Sequence, residues 1–243
     1  MHPNRKFHIA DRDEMAAFVR HEGFGTLVVE TQAGLRAVHV PLLLDGERLL
    51  FHVSRGNAVL GALAAGAEAL VVVNGPHAYV SPDWYGLPGR VPTWNYVAVE
   101  LNGPVRALSE EELARLLDAL SAEFEARLAP KRPWTVADAS PGHVERLMKA
   151  IAGFALDIRE WRGTAKVDQD KPPEVRARIA AALRGQGEEA MAAVMDPGSS
   201  PPAGGEGDHP QGGGGVFRAG LANDPSTTLR VVPLPISDGE EPR

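Results

Sequence analysis

The sequence predicts an α+β fold with a mainly β core, an antiparallel sheet or barrel carrying peripheral helices. Three observations lead there. Between Phe24 and Leu108, strand-like runs follow one another through short turns, which favours antiparallel pairing over a βαβ sheet. Capping-box patterns, Asp11 with Glu14 and Ser109 with Glu112, announce a helix on either side of that block. With 243 residues, 44% hydrophobic and 23% charged, the chain is long enough and apolar enough for a real core.

The elements follow in order. After Asp11, the residues Met15, Phe18 and Val19 form one apolar face, and Gly23 stops the helix. Phe24–Thr31 reads as a strand, Ala33-Gly34 as a turn, Leu35–Leu44 as a second strand and Asp45-Gly46 as a hairpin turn. Arg48–Ser54 is the third strand, and Asn57–Ala65 reads as a short helix ended by Gly66. Ala69–Val73 is wholly apolar, as a strand buried on both faces would be, and His77–Ser81 is another short strand. Tyr96–Leu108 reads as a long strand bent at Gly103-Pro104.

Behind Ser109, the residues Leu113, Leu116, Leu117, Leu120, Phe124 and Leu128 fall on one helical stripe. Ser140-Pro141 opens a further helix with Val144, Leu147, Met148 and Ile151 expected inward. Gly153–Trp161 reads as a late strand returning to the sheet. Pro172-Pro173 precedes a last helix carrying Val175, Ile179 and Leu183, and a short helical stretch continues to about Met195.

From Asp196 the pattern collapses. Residues 196–243 hold 10 of the 26 glycines and 8 of the 20 prolines, too little apolar surface to offset chain entropy. We expect residues 1–195 to form the folded domain and 196–243 a disordered, Gly/Pro-rich acidic tail. More than half of the net charge of −7 lies in that tail, so the body is nearly neutral.

Composition excludes several classes. Without cysteine there is no disulfide, thiolate metal site or cysteine nucleophile. No apolar run reaches the length of a membrane span, and the first residues lack the apolar core of a signal peptide, so the expected address is cytoplasmic. No basic stripe or recognition helix is visible, so direct DNA binding is unsupported.

Three groups of residues carry candidate chemistry. His52-Val-Ser-Arg-Gly-Asn57 ends a strand and enters a helix. Ser54, Arg55 and Asn57 there are either a phosphate cradle or a helix cap beside a surface arginine. His39 and His52 sit in neighbouring strands, where histidines hold a metal or haem or are simply hydrogen-bonded. No Asp or Glu stands at ligand spacing, so no metal is assigned. Every tyrosine and two tryptophans fall within residues 79–96, on a proline-restrained stretch suited to a planar ring ligand, a dimer interface or packing on its own core.

The strings HVPLLL (39–44), HVSRGN (52–57), GPHAYVSPDWY (75–85) and VPTWNYVAVELNG (91–103) resemble the PaiB family. The similarity starts at GFGTLV (23–28), continues through residues 133–158, and covers about residues 1–195 in collinear order. Members are described as FMN-binding split-barrel negative transcriptional regulators. The resemblance implies a homodimer of FMN-binding split β-barrels with peripheral helices and one FMN near each subunit interface. By motif match, Ser54, Arg55 and Asn57 would lie at the phosphate end. His39 and Val40 would form the barrel wall beside ribityl chain or ring. Thr93, Trp94 and Asn95, from the partner subunit on one reading, would line the site, with Lys166 and Gln169 retained from the family's late motif.

Three departures stand out. The family's Ala-Arg-Ala-Asn-Pro is here Ser54-Arg-Gly-Asn-Ala58. The loop after Tyr85 is shortened to Gly-Leu-Pro-Gly-Arg90 and lacks a lysine. The late Gly-Lys-Trp-Lys-Leu-Ser-Gln-Asn run is here Gly163-Thr-Ala-Lys-Val-Asp-Gln-Asp170. If that run meets the phosphate, Asp168 and Asp170 would repel it. Beside the FMN-binding regulator, the alternatives are an NAD(P)H-linked flavin oxidoreductase, a haem-binding split barrel and a degenerate site in a structural dimer.

Overall fold

The computed structural model describes residues 2–196 and Gly198. The rest of the expected tail lies outside the described residues. Among the described residues nine strands and six α-helices follow one another. They are β1 (His8–Ile9), α1 (Arg12–Glu22), β2 (Phe24–Thr31), β3 (Gly34–Pro41), β4 (Leu43–Asp45), β5 (Arg48–Ser54) and α2 (Leu60–Ala64). Then come β6 (Glu68–Val80), β7 (Thr93–Ala107), α3 (Glu110–Ala126), α4 (His143–Met148), β8 (Ile151–Asp157), β9 (Glu160–Lys166), α5 (Pro173–Gly185) and α6 (Glu189–Met195). All pairings are antiparallel, in the order β3-β2-β6-β7-β8-β5-β4, with β9 paired to both β7 and β1.

The helix ends follow their sequence signals. The Asp11 carboxylate accepts hydrogen bonds from the amides of Asp13 and Glu14, and Gly23 closes α1 at φ 59°. Ser109 and Glu112 form a reciprocal capping box on α3. At the far end of α3, Arg127 donates to the carbonyls of Arg20 and His21, a cation placed on the carbonyl end of α1.

β7 organises the sheet. From Thr93 to Pro104 it pairs with β6, and from Tyr96 to Asn102 also with β9, while its end, Val105–Ala107, passes to β8. Burial alternates along it, so Asn95, Val97, Val99, Leu101 and Val105 point into the barrel and Trp94, Tyr96 and Glu100 point out. The core is one cluster of these residues with Leu27, Val71 and Val73 from the neighbouring strands. Leu49, Phe51, Phe154 and Leu156 join it from the other side, with the two phenylalanine rings stacked at 5.9 Å.

Several expectations change. Leu35–Leu44 is two strands, broken at Leu42, whose amide bonds instead to the Gly23 carbonyl. Ala69–Val73 and His77–Ser81 merge into β6, carried through by an irregularity between Asn74 and His77. Gly153–Trp161 is split between β8 and β9. The Ser140-Pro141 helix is only six residues, buries nothing, and leaves Leu147 57% exposed, while Ile151 begins β8. Leu128 falls beyond α3 and is exposed. These residues lie on a long excursion between α3 and β8 with little of the barrel beneath it.

Gly103 is required by packing. A Cβ there would overlap the Asp157 carbonyl, which is backbone and cannot swing away. Gly103→Ala is expected to lose stability at or above the upper end of the ~1–3 kcal/mol typical of overpacking, read as a lower urea midpoint at unchanged slope.

Candidate functional site

The expected site residues occupy two places. The first lies where β3 and β5 pack against each other. His39 projects from the outer face of β3, with Nδ1 3.0 Å from the Thr26 hydroxyl and its ring stacked on Phe24 at 6.4 Å. Val40, the next residue, is 1% exposed and belongs to the core. Beyond β5, Ser54–Val59 forms a tight turn. The Asn57 amide donates to the Ser54 carbonyl (3.0 Å), and the Arg55 amide to the Ala150 carbonyl (2.8 Å). Asn57 Oδ1 accepts from the Val59 amide, which leaves its NH₂ group to donate. The Ser54 hydroxyl accepts from the Gly56 amide at 3.4 Å and keeps its own proton to donate. Arg55 is exposed and, among the described residues, its guanidinium makes no ion pair or hydrogen bond. The expected helix over Asn57–Ala65 begins only at Leu60 and has five residues, so the donors here are side chains on a turn.

The second place is the start of β7 and the end of β9. Lys166 Nζ donates to the Thr93 hydroxyl and, at 2.6 Å, to the Trp94 carbonyl. Burial lowers the pKa of this amine. Trp94 is 56% exposed, and its ring lies 6.2 Å from His77 and 6.3 Å from Tyr79. Asn95 is fully buried beneath them.

Sequence reasoning missed the centre of this second place. Asp168 is buried, at φ 53°, and its carboxylate accepts from Asn95 Nδ2 (2.8 Å) and the Tyr85 hydroxyl (3.0 Å). It fastens the chain after β9 to β7 and to the Pro82–Tyr85 turn. Asp170 is also engaged, bonded to Lys6 at 2.6 Å and Lys171 at 3.0 Å. Although burial pushes the other way, these ammonium groups hold its carboxyl below its ordinary value. Both carboxylates thus have donors of their own within the chain. Gln169 binds backbone only, donating to the carbonyls of Lys6 and Ala165 and accepting from the Val167 amide. It shapes the turn after β9.

The register puts the two places at opposite ends of β7. Ser54 pairs with Ile151 on β8, and β8 meets β7 only at Val105–Ala107. The Ser54–Asn57 turn thus lies past the last residue of β7, while Thr93–Asn95 are its first. The strand between them has a contour of about 45 Å at the ordinary rise. His39 and His52 do not converge. His39 faces outward, whereas His52 lies under α3 and Trp134, with its Nδ1 buried and unpartnered and its pKa lowered by burial. Among the described residues no group of three or more His, Asp or Glu could hold a metal, and no helix is long and apolar enough to cross a membrane.

This sheet order, with β7 shared between two half-sheets and helices at the periphery, is the split-barrel fold. The chain superposes on the FAD and haem binding protein of Mycobacterium smegmatis with a TM-score of 0.50 and 23% identity, over 72% of this chain and 79% of that one. It also superposes on the flavocytochrome Anf3 of Azotobacter vinelandii with a TM-score of 0.50 and 16% identity, over 97% and 92%. Residues 1–160 match the family model described as "Putative FMN-binding domain", and the chain belongs to that family. It is 31% identical over 175 residues to the protease synthase and sporulation protein PAI 2 of Bacillus subtilis, covering 70% of this chain and 83% of that protein. An uncharacterized protein of Emericella nidulans is 32% identical over 175 residues, covering 56% and 70%. The cofactor that this membership gives the chain is FMN.

The Asp168 cluster makes a testable statement about pH. Burial first, and the Asp168 carboxylate second, push the Tyr85 phenol well above its ordinary value of 10.0. A raised pKa means that the folded state favours the neutral phenol. Its contribution is complete below about pH 10 and is lost as pH rises beyond that. Tyr85→Phe should cost about 1–2 kcal/mol at pH 7 and flatten the alkaline fall in stability, measured by urea unfolding between pH 7 and 11.

Proposed function

We propose that this protein is an FMN-binding split-barrel homodimer whose cellular role is negative transcriptional regulation of the PaiB kind. The observation that carries the flavin site is the Ser54–Asn57 turn. It presents a guanidinium without a partner among the described residues, a hydroxyl proton and an amide NH₂ group on a backbone fixed at both sides. A phosphate monoester dianion needs that donor set, so the residues fit the group. Arg55 would neutralise it, with Ser54 and Asn57 donating to its remaining oxygens. His39 and the wall around Val40 would stand beside the ribityl chain or ring. When bound, the isoalloxazine ring supplies one- and two-electron redox chemistry. The chain's own part is to hold the phosphate, set the ring against the sheet and limit water.

The homodimer is supported by the separation of the two places. If Thr93 and Trp94 touch the same flavin as Arg55, they come from a second copy, with the buried Asn95 supporting them from behind. Lys166 then acts by holding the Trp94 backbone in position, and Gln169 by fixing the turn behind it. The outer sheet face offers Val28, Leu70 and Val72 in paired rows, half-buried in one chain, as the surface two copies would cover. The regulatory role is supported by the kinship with PAI 2. The near-neutral body assigns it no direct contact with DNA.

Two measurements test this. Arg55→Ala should weaken FMN binding by about 1.5–3 kcal/mol in a fluorescence titration, without lowering the melting temperature of the flavin-free protein. Unchanged affinity would remove Arg55 from the site. Sedimentation equilibrium should give twice the chain mass; a monomer at micromolar concentration would contradict the shared site.

A further inference from the structure

Beside the start of β7 lies a cleft of about 540 Å³, between the outer face of β6 and the helices α5 and α6. Its wall is the ring cluster of His77, Tyr79 and Trp94, and Met191 and Leu183 form its floor. Trp94 and Tyr79 are the two most exposed aromatic rings on this face, at 56% and 47%. The Trp94 backbone is anchored by Lys166, so the ring is presented on a fixed support.

His77 Nδ1 lies 3.2 Å from the Gly75 carbonyl, which can only accept. The proton of neutral His77 therefore sits on Nδ1, and Nε2 is left as an acceptor. Glu188 stands at the rim, with no ion pair among the described residues. Among the described residues no lysine or arginine side chain lines the cleft. Indole and phenol faces, a carboxylate and an acceptor nitrogen together favour positive charge, while the donors in the lining, the Gln186 amide and the Tyr79 hydroxyl among them, are neutral.

We propose that this cleft is a second ligand site, separate from the flavin phosphate turn, and that it takes a planar heteroaromatic cation. The ring would lie on the cleft side of Trp94, with its charge toward Glu188, and a flavin held by a second copy would meet only the other side of the indole. The lining disfavours dinucleotides, whose phosphates would find no cation there.

A charge series on one ring tests this: 1-methylnicotinamide (cation), nicotinamide (neutral) and nicotinate (anion), each titrated by isothermal calorimetry into the full-length protein. The cation should bind about tenfold tighter than nicotinate, with nicotinamide between them. Trp94→Ala should weaken the cation and the neutral ring alike. Glu188→Gln should remove the preference for charge and leave nicotinamide unchanged, whereas Glu189→Gln should alter neither. Equal or tighter binding of nicotinate, or the same loss from both glutamate variants, would overturn the proposal. The series is run without and with saturating FMN. Competition by FMN would make the cleft part of the flavin's own site and overturn a separate one. A protein that binds the cation but not FMN would count against the flavin reading alone.

Discussion

The register of β7 is the constraint on which the rest depends. Side chains on a strand alternate with a period of two, so a slip of one residue would exchange its faces. Asn95, Val97, Val99 and Leu101 would leave the core, and Trp94 and Glu100 would enter it. Three strands read their positions from this one, β6 and β9 along its first part and β8 at its end. The split of the barrel into two half-sheets comes from that handover, and Gly103 admits the Asp157 carbonyl just before it occurs. The same strand sets the two candidate places apart, since one lies at its beginning and the other past its end.

Asp168 holds the beginning in place. A buried carboxylate is costly unless its lone pairs are used, and here Asn95 and Tyr85 use them. Its left-handed backbone reverses the chain directly after Lys166, so that Gln169 can close the turn on Ala165. The result is a rigid corner from which Lys166 reaches the Trp94 carbonyl. The aromatic wall outside is thus supported by a polar cluster inside, which ties packing to whatever the exposed rings bind.

Much of this was legible in the sequence. The caps of α1 and α3, the alternation of β2 and β5, and the apolar faces of α5 and α6 lie where local chemistry puts them, because each signal is confined to a few neighbouring residues. The motif strings pointed to the family, its fold and FMN. The failures have physical causes. Leu35–Leu44 and Gly153–Trp161 each read as one run rich in strand-forming residues, and hydropathy alone does not mark where a strand changes partner. The expected inward face of the Ser140-Pro141 helix has the right spacing, but spacing cannot reveal that nothing lies beneath it. Asp168 resembled an exposed substitution in a binding motif. That it turns inward depends on Asn95, 73 residues away, and Tyr85, 83 residues away. The only local hint was an aspartate standing where a left-handed backbone residue is tolerated.

The central claim is that each flavin site is completed by two copies of the chain. Complementation between two defective variants tests it directly. Arg55→Ala and Trp94→Ala are purified separately, and FMN binding is measured for each alone and after mixing through a reversible dissociation step. The shared-site account predicts weak binding by each variant alone and recovery on mixing. High-affinity FMN should return to about one site in four, because half of the dimers are then mixed and each mixed dimer holds one intact site. Mixing that exchanges subunits yet restores no binding would contradict the account and place both residues on the flavin of their own chain, or one of them off it.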